Sequence, residues 1–372
     1  MSLNRGRSKP ASESSLNKPR SRSRTPNPSP PKAGKKIMPA PDSPEDEDIE
    51  LAPWVRKNTL KFKDSLLLLH EEIIDFYDFM QPTPSEKADQ QSILNRLTEK
   101  TRNIWPNSEV NIFGSLANGL WLPTSDIDIV IKTQTDQDSA TLIDLLSSDL
   151  VQSAMASEIE KIYNARVPII KFVDRSTGLH VDISFNISGG IEGVNIVKEY
   201  LAKYPEVKYI VFVLKYFLKQ RGLNETYLGG IGSFLLFCMV VSSVQMHPAH
   251  KGDNKHYGRY TLGHFLVNFF QLYGSEFNYL DVGISIKGNG SYFQKRTKEW
   301  CQTLGDFLCV ECPQDTNNDV GKGAFGIKMI RKTFKHAHLL LCSQCYRVAK
   351  TPLNLILRTD DLIRNRYPHH KN

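Results

Sequence analysis

The most constraining stretch of the chain is the run Asp-Ile-Asp-Ile-Val-Ile at residues 126–131. Its alternation predicts a β-strand, and successive side chains of a strand point to opposite faces of the sheet. One face therefore carries the carboxylates of Asp126 and Asp128, while the other carries three isoleucines that suit a hydrophobic core. An Asp-x-Asp pair alone is more often a solvated strand end. Two adjacent carboxylates repel each other unless a cation lies between them.

A third carboxylate and an upstream Gly-Ser pair favour a site for metal and nucleotide. Residues 179–185 form a second alternating segment, in which Asp182 faces away from the hydrophobic side chains. Three carboxylates on adjacent strands suit two Mg²⁺ ions roughly 3.5–4 Å apart, because Mg²⁺ is bound through carboxylates and substrate phosphates. Residues 110–113 predict a strand that turns into a helix at Gly114 and Ser115, where backbone N–H groups and a hydroxyl can hold a phosphate.

These motifs resemble the DNA-polymerase-β-like nucleotidyltransferase superfamily, in which Gly-Ser, ten residues, Asp-Ile-Asp and a distant strand Asp recur in this order. Residues 111–130 resemble more specifically the eukaryotic terminal nucleotidyltransferases that act as nuclear poly(A) polymerases of the TRAMP type, and the resemblance covers about residues 54–350. It implies an α+β fold, with a small mixed β-sheet palm followed by a largely helical central, PAP-associated domain. The hydrophobic pattern agrees, since strands give way to helices from residue 191 onwards.

The expected organisation has four parts, and the first helix of the catalytic domain is expected to pack on the central domain. The parts are a disordered tail (1–50), the nucleotidyltransferase catalytic domain (51–187), the helical central domain with the base-recognition loop (188–350), and a basic C-terminal tail (351–372).

The resemblance assigns further residues to the nucleotide. Lys215 and Lys219 lie four residues apart on one predicted helix face and are similar to the family's triphosphate ligands, although spacing alone equally fits two solvated lysines. Ser233 corresponds to a serine that contacts the triphosphate; otherwise it is simply a helix N-cap. Phe234 corresponds to the residue that stacks on the base, usually a tyrosine. Stacking needs only a π-face, so the phenylalanine retains it without the hydroxyl.

Sugar and base recognition are assigned in the same way. Asn195 corresponds to an asparagine that bonds the ribose 2′-hydroxyl, the group that distinguishes RNA from DNA. Asn318 and Asp319 lie in a polar turn that resembles the family's base-reading loop. Uridylyl-transferring relatives typically carry a histidine there, and none lies at residues 312–334. We therefore expect a preference for ATP over UTP and CTP, with some GTP accepted.

The implied activity is template-independent addition of AMP from ATP to RNA 3′ ends, with nuclear RNAs marked for processing or decay as substrates. Asp126, Asp128 and Asp182 would be both catalytic residues and metal ligands, with Mg²⁺ as the cofactor and Mn²⁺ as its substitute. A terminal uridylyltransferase is the alternative, and a catalytically inactive scaffold is a third reading that the intact carboxylates disfavour. The chain carries no RRM or KH signature, and the resemblance implies a zinc-knuckle RNA-binding protein and an RNA helicase as partners.

Charge and composition set the tail apart. Residues 1–36 contain ten Lys/Arg and one Glu, residues 37–50 contain six Asp/Glu, and residues 1–50 include nine of the 20 prolines and no aromatic residue. Such a segment buries too little apolar surface to fold alone. The absence of a secretory signal and of an apolar run of spanning length predicts a protein with no membrane association. The family resemblance implies a location in the nucleus, with the nucleolus and a cytoplasmic pool as further locations.

The six cysteines leave one question open. Cys309, Cys312, Cys342 and Cys345 have a spacing similar to a zinc site. Reduced structural thiols are the alternative and the default in such a compartment.

Overall fold

The computed structural model describes residues 51–165, 167–187, 189–251, 260–301, 305–343 and 350–366. The predicted tail at 1–50 lies outside these residues, as does Cys345. The first half consists of α1 (Ser65–Phe79), α2 (Pro84–Ile104), β1 (Glu109–Ile112), α3 (Gly114–Asn118), β2 (Ile127–Lys132), α4 (Ser139–Gln152), β3 (Ala156–Ile162), β4 (Ile169–Asp174) and β5 (His180–Phe185). The second half consists of α5 (Gly189–Lys203), α6 (Glu206–Lys219), α7 (Ser233–Met246), α8 (Pro248–Lys251), α9 (Leu262–Gln271), a π-helix (Leu272–Glu276), β6 (Val282–Ser285), β7 (Ser291–Gln294), α10 (Ile327–Cys342) and α11 (Asp361–Arg366).

A five-stranded mixed sheet forms the palm, in the order β1-β2-β5-β4-β3. Only β2 and β5 are parallel, and their register places Asp128 opposite Asp182. The three isoleucines of β2 are fully buried in one cluster with apolar side chains of α2 and α4. The predicted division of β2 into a core face and a carboxylate face is therefore present, and the carboxylate face is left free of that core.

The helical half has its own core around α6 and α7. Helix α7 is apolar on nearly all sides, and eleven of its residues are buried, as expected for a helix surrounded by other elements. Helix α1 contributes Leu69, Ile73 and Phe76 to this second core, together with side chains of α9. The predicted α+β fold, a mixed-sheet palm with a helical second domain, is confirmed.

Residues 351–366, which the sequence analysis assigns to a basic tail, pack into this second core. Leu353, Ile356, Leu357 and Ile363 are buried, and the backbone N–H of Leu353 donates to Glu72 Oε2 of α1 at 2.7 Å. The other Glu72 oxygen accepts from the Trp54 indole N–H at 3.0 Å. The basic residues of this segment conceal its apolar spacing, and that is why its composition alone indicates a tail.

The edge strand β3 is not predicted from the sequence, because its exposed side chains are mostly charged. Its pairing with β4 shifts register between Ser157 and Glu160, and Glu158 has a positive φ of 52°. Both are marks of a β-bulge.

Two further expectations concern cysteines and membranes. Cys309 and Cys312 are buried, whereas Cys342 is exposed. Among the described residues no helix combines the length and the apolar character needed to cross a bilayer.

Candidate active site

Two neighbouring parallel strands bring the predicted carboxylates together. Asp128 and Asp182 are register partners on β2 and β5, and Asp126 lies at the residue before β2 begins. Burial, followed by the charges of Asp182 and Asp126, raises the pKa of Asp128 to about 7. Burial likewise raises the pKa of Asp182, against a hydrogen bond from Lys171 that lowers it. Such mutual repulsion at a partly buried position is the electrostatic signature of a cation site.

The Gly-Ser turn lies directly against Asp128. Helix α3 begins at Gly114, whose φ of +61° favours glycine, and a Cβ built there would lie 2.0 Å from Asp128 Oδ2. The backbone N–H of Phe113 donates to the Asp128 carbonyl oxygen at 3.0 Å, and the backbone N–H of Ser115 donates to the Asp128 carboxylate. The glycine is therefore required both by the backbone conformation and by the approach of the carboxylate.

Lys171 lies among the carboxylates and was not identified from the sequence. It is the register partner of Asp182 on β4; its Nζ is 2.6 Å from Asp182 Oδ2 and 3.9 Å from Asp126 Oδ2. Burial lowers the pKa of Lys171, but the hydrogen bond and charge of Asp182 outweigh burial, so the pKa is raised. A lone charge within the apolar run of residues 168–173 is the sequence feature that marks it.

The carboxylates suit a hard cation, provided that Lys171 moves. Carboxylate oxygens are ligands of Mg²⁺ and Mn²⁺, and the two register partners already face one another. In the described part of the chain, however, no three His, Cys, Asp or Glu side chains surround a common point as metal ligands do. Since the Lys171 ammonium contacts Asp182, it supplies positive charge where a metal ion would. Asp126, Asp128 and Asp182 therefore fit the ion once that ammonium withdraws.

Lys215 connects the two halves of the molecule. It projects from α6, is 8% exposed, and its Nζ donates to the Leu120 carbonyl oxygen at 2.7 Å and to Ser125 Oγ at 3.3 Å. Burial lowers its pKa to about 8, and the carboxylates of Asp128 and Asp126 oppose that change. A buried cation facing the palm carboxylates is placed to meet an anionic ligand between them.

Two adjoining cavities, of about 220 and 300 Å³, meet at Ser115, Asp128, Lys215 and Ser233. The first has a largely polar lining that includes Thr124, Ser125, Asp126, Lys219, Asn224 and Glu225. The second has a largely apolar lining that includes Val194, Val197, Phe234 and Phe237 together with Gly114 and Gln314. A polar compartment with two lysines beside an apolar compartment with an aromatic ring suits the triphosphate and the base of a nucleotide, respectively.

Three of the predicted nucleotide ligands lie away from these cavities. Asn195 is exposed on α5 and lines neither one, although its neighbour Val194 lines the second. Asn318 and Asp319 line neither cavity.

Asp319 has a different set of contacts from the one that the resemblance implies. Its Oδ1 accepts from the backbone N–H groups of Val310 at 2.9 Å and Gly321 at 2.7 Å. It thereby caps the 3-10 helix Val320–Gly323. The loop contributes Gln314 to the apolar cavity instead. This residue is one of a polar series, and nothing in the sequence singles it out.

Comparison with known proteins places the chain in a class. The family model described as the central palm domain of mitochondrial-like poly(A) RNA polymerase matches residues 69–202, and the model of the Cid1 family poly A polymerase matches residues 261–318. A solved structure of the polymerase core of TRAMP, an RNA surveillance complex, superposes with a TM-score of 0.71 at 32% identity, covering 83% of this chain and 96% of that one. The Cid1 poly(U) polymerase shares the fold at 23% identity and a TM-score of 0.62, covering 74% of this chain and 94% of that one.

Curated relatives of this chain are also named as poly(A) RNA polymerases. Poly(A) RNA polymerase cid14 of Schizosaccharomyces pombe is 36% identical over 81% of this chain and 44% of its own length. CID14 of Cryptococcus neoformans is 37% identical over 80% of this chain and 40% of its own length. The chain thus spans less than half the length of these two. The inactive poly(A) RNA polymerase protein Trf4-2 of Drosophila melanogaster is 32% identical over 74% of this chain and 69% of its own length.

The fold and these matches therefore place the chain in the class of RNA nucleotidyltransferases built from a palm and a PAP-associated domain. Within that class, the chain belongs to the poly(A) RNA polymerases of the TRAMP and Cid14 type.

Proposed function

We propose that this chain adds AMP from ATP to RNA 3′ ends without a template. The observation that carries the proposal is the carboxylate trio beside the Gly-Ser turn: Asp128 lines both the polar and the apolar cavity, Asp126 lines the polar one, and Asp182 is the register partner of Asp128. The activities in the names of the relatives support the same chemistry. Because the chain spans only part of those proteins, the proposal rests on the residues of this chain and not on the activity of the longer relatives.

Different residues of the site would have different roles in nucleotidyl transfer. Asp126, Asp128 and Asp182 would hold the divalent ions, which in such a site activate the attacking 3′-hydroxyl and stabilise the leaving oxygen. Ser115, Ser233, Lys215 and Lys219 line the polar side and bind the triphosphate. The positive charge of Lys215, held in place by its bonds to the palm, offsets the negative charge that develops on pyrophosphate. Phe234 offers its ring to the base in the apolar cavity.

Adenine is the base that we propose. A purine presents more stacking area to Phe234 than a pyrimidine does. The segment 312–334, described in the structure, contains no histidine, unlike the loop of uridylyl-transferring relatives. A few hydrogen bonds to the base edge discriminate by only about 1–3 kcal/mol, so selectivity is a preference, with some GTP accepted.

A scaffold without activity is the rival from a different class, because one relative is named as inactive. The carboxylates support the enzyme over the scaffold for this chain. All three are present, two are in register, and the glycine that Asp128 requires is in place.

The test is incubation of the purified chain with a short oligo(A) RNA, Mg²⁺ and each NTP separately, followed by competition among all four and sequencing of the tails. We expect tails made mostly of A.

Asp126→Ala, Asp128→Ala and Asp182→Ala should each abolish tailing while remaining folded. Tails made of U would establish the uridylyl alternative, and a folded wild-type chain without any extension would establish the scaffold.

Partners and location complete the proposal. By its likeness to a polymerase core, the chain is expected to work with a zinc-knuckle RNA-binding protein and an RNA helicase on RNAs of the nucleus. Copurification from nuclear extract, with and without nuclease, tests this.

A further inference from the structure

One element of the chain beyond residue 50 carries basic residues without any acidic residue. Residues 51–372 contain 37 Lys/Arg and 33 Asp/Glu, whereas residues 320–343 contain five Lys/Arg and no Asp/Glu. The rest of that range therefore carries one more acidic than basic residue. Helix α10 and the turn that leads into it account for the whole excess.

These cations lie on one surface. We define the α10 face as the exposed side chains of Lys328, Arg331, Lys332, Lys335 and His336. Their spacing of three and four residues makes them neighbours along the helix. The opposite side of α10 carries buried apolar residues, including Ile330, Phe334 and Ala337. The α10 face therefore extends along a helix roughly 24 Å long, at 1.5 Å per residue.

Most of this charge is not neutralised within the described residues. Lys328 Nζ lies 3.2 Å from Asp306 Oδ2, and the Arg331 guanidinium lies over the ring of Tyr279 at 5.4 Å. No carboxylate of the described ranges forms an ion pair with Lys332 or Lys335. Like charges so close together repel one another, and a partner of opposite charge relieves that repulsion.

Exposed aromatic rings flank the start of α10. Tyr227 is 74% exposed and Phe325 is 57% exposed. Phe325 packs against Gly229, and the backbone N–H of Gly326 donates to the Gly229 carbonyl oxygen at 2.9 Å. Asn224 and Glu225, which precede Tyr227 in the chain, line the polar cavity. The α10 face thus begins beside the proposed nucleotide site.

We infer that the α10 face binds the backbone of the RNA strand whose 3′ end is being extended, with Tyr227 and Phe325 stacking on its bases. This inference rests on the proposed function for the nature of the strand. Evenly spaced cations of one sign, without interspersed acids, match a polyphosphate chain, and a cationic track combined with aromatic rings is the usual surface for single strands. A protein partner would more often meet a mixture of signs and a larger apolar area.

The experiment compares Lys332→Gln/Lys335→Gln with the matched control Lys57→Gln/Lys87→Gln, which removes the same charge from exposed lysines elsewhere. The affinity for a long fluorescent oligo(A) is measured by anisotropy over a range of salt concentrations. Each single-strand phosphate contact contributes about 0.7 to the slope of log K against log salt. For Lys332→Gln/Lys335→Gln, that slope should be lower by about 1.4, and the RNA should bind about tenfold more weakly at physiological salt. Its KM for ATP should stay near that of wild type, since neither lysine lines the nucleotide cavities.

Stacking is tested separately with Tyr227→Ala and Tyr227→Phe. The alanine variant should bind the long RNA more weakly, and the phenylalanine variant should restore the affinity, because only the ring is needed. Thermal unfolding verifies that each variant is folded.

An affinity and salt slope of Lys332→Gln/Lys335→Gln equal to those of its control would overturn the inference and leave the face to a protein partner. Failure of the proposed function looks different: the wild type then makes no tails, while the binding measurements remain interpretable.

Discussion

Gly114 and Asp128 approach each other so closely that no side chain fits between them. The Cβ of an alanine would overlap the carboxylate oxygen, and displacement of a reacting group by about 1 Å costs on the order of 100-fold in rate. We predict that Gly114→Ala lowers kcat at least that much. Single-turnover tailing with saturating ATP measures the effect.

Gly119 provides the matched control. It also has a positive φ, of 79°, but an added Cβ would meet nothing within 4 Å. Gly119→Ala therefore carries the strain of the left-handed conformation alone, about 1–2 kcal/mol, and should keep most of the activity. Equal losses of activity in both variants would show that strain, and not contact with Asp128, explains the glycine.

Lys171 balances the carboxylates in the absence of metal. We predict that Lys171→Met destabilises the metal-free protein and enlarges the increase in Tm caused by Mg²⁺ or Mn²⁺, by about 2–4 °C, the shift that about 1 kcal/mol produces in a domain of this size. Differential scanning fluorimetry with and without metal measures it. The control is Lys161→Met on β3 of the same sheet, which removes an exposed ion pair with Asp144 of α4. A metal response equal to that of the control would contradict the role of Lys171.

For single residues, the sequence predicts side-chain positions that depend on one strand, and it misses contacts that depend on how two strands pair. Asp126 and Asp128 follow from alternation alone. Lys171 reaches Asp182 only because β4 and β5 pair in one particular register, and register is not encoded within a single strand.

At the scale of elements, the loop before α10 is held by a cap. Asp319 accepts two backbone N–H groups with one oxygen, and burial raises the pKa of this carboxyl group. We predict that Asp319→Ala lowers the free energy of unfolding by about 1–3 kcal/mol, the usual cost of leaving buried donors unsatisfied. Urea denaturation measures it.

Asp319→Asn separates capping from base recognition. Its amide oxygen can accept the same two bonds, so stability should largely return, with the preference for ATP over GTP unchanged. A folded asparagine variant with an altered nucleotide preference would instead support the base contact that the family resemblance implies.

Element boundaries show where local chemistry overrides periodicity. The apolar spacing predicts a helix over residues 58–80, but α1 begins at Ser65, because the Asp64 side chain accepts from the backbone N–H groups of Leu66 and Leu67. The residues before it form a separate 3-10 turn, Thr59–Lys61. The apolar spacing of residues 207–220 likewise predicts a helix, and α6 matches it to within one residue at each end, since its many apolar positions fit only the helical period.

At the scale of the whole molecule, the segment after residue 350 belongs to the fold. We predict that deletion of residues 351–372 removes cooperative unfolding, because it exposes apolar surface that at least four buried side chains cover. Each such side chain stabilises by about 1.5–3 kcal/mol. Deletion of residues 367–372 alone is the control. Calorimetry distinguishes the two, and an intact transition in the longer deletion would restore the interpretation as a tail.

Glu72, which joins this segment to Trp54, makes stability depend on pH. Burial raises its pKa from 4.5 to about 8, although hydrogen bonds from Leu353 and Trp54 oppose that. Between pH 4.5 and about 8, Glu72 therefore keeps a proton in the folded state that it has released in the unfolded state. The free energy of unfolding should consequently fall as pH rises through this window, by at most about 1.4 kcal/mol per unit.

Glu72→Gln should remove this slope, and Glu71→Gln on the same helix serves as its control. Urea titrations across the window provide the measurement. A slope that persists in Glu72→Gln would assign the pH dependence to another group.

Composition misjudges the C-terminal segment for a physical reason. Its exposed charges, Arg358, Asp361 and Arg364, suggest a solvated tail, while its apolar side chains pack into the core around α1 that only the assembled helices create. Such tertiary complementarity is not visible in a window of sequence.

The β-bulge of β3 has a consequence for how copies of this protein behave at high concentration. An edge strand displays unpaired N–H and C=O groups, which invite another chain to extend the sheet. In β3 the register shift and the exposed Glu158, Glu160 and Lys161 interrupt that template and place charge along it. The bulge and the charges therefore disfavour, along this edge, the intermolecular strand pairing that begins aggregation.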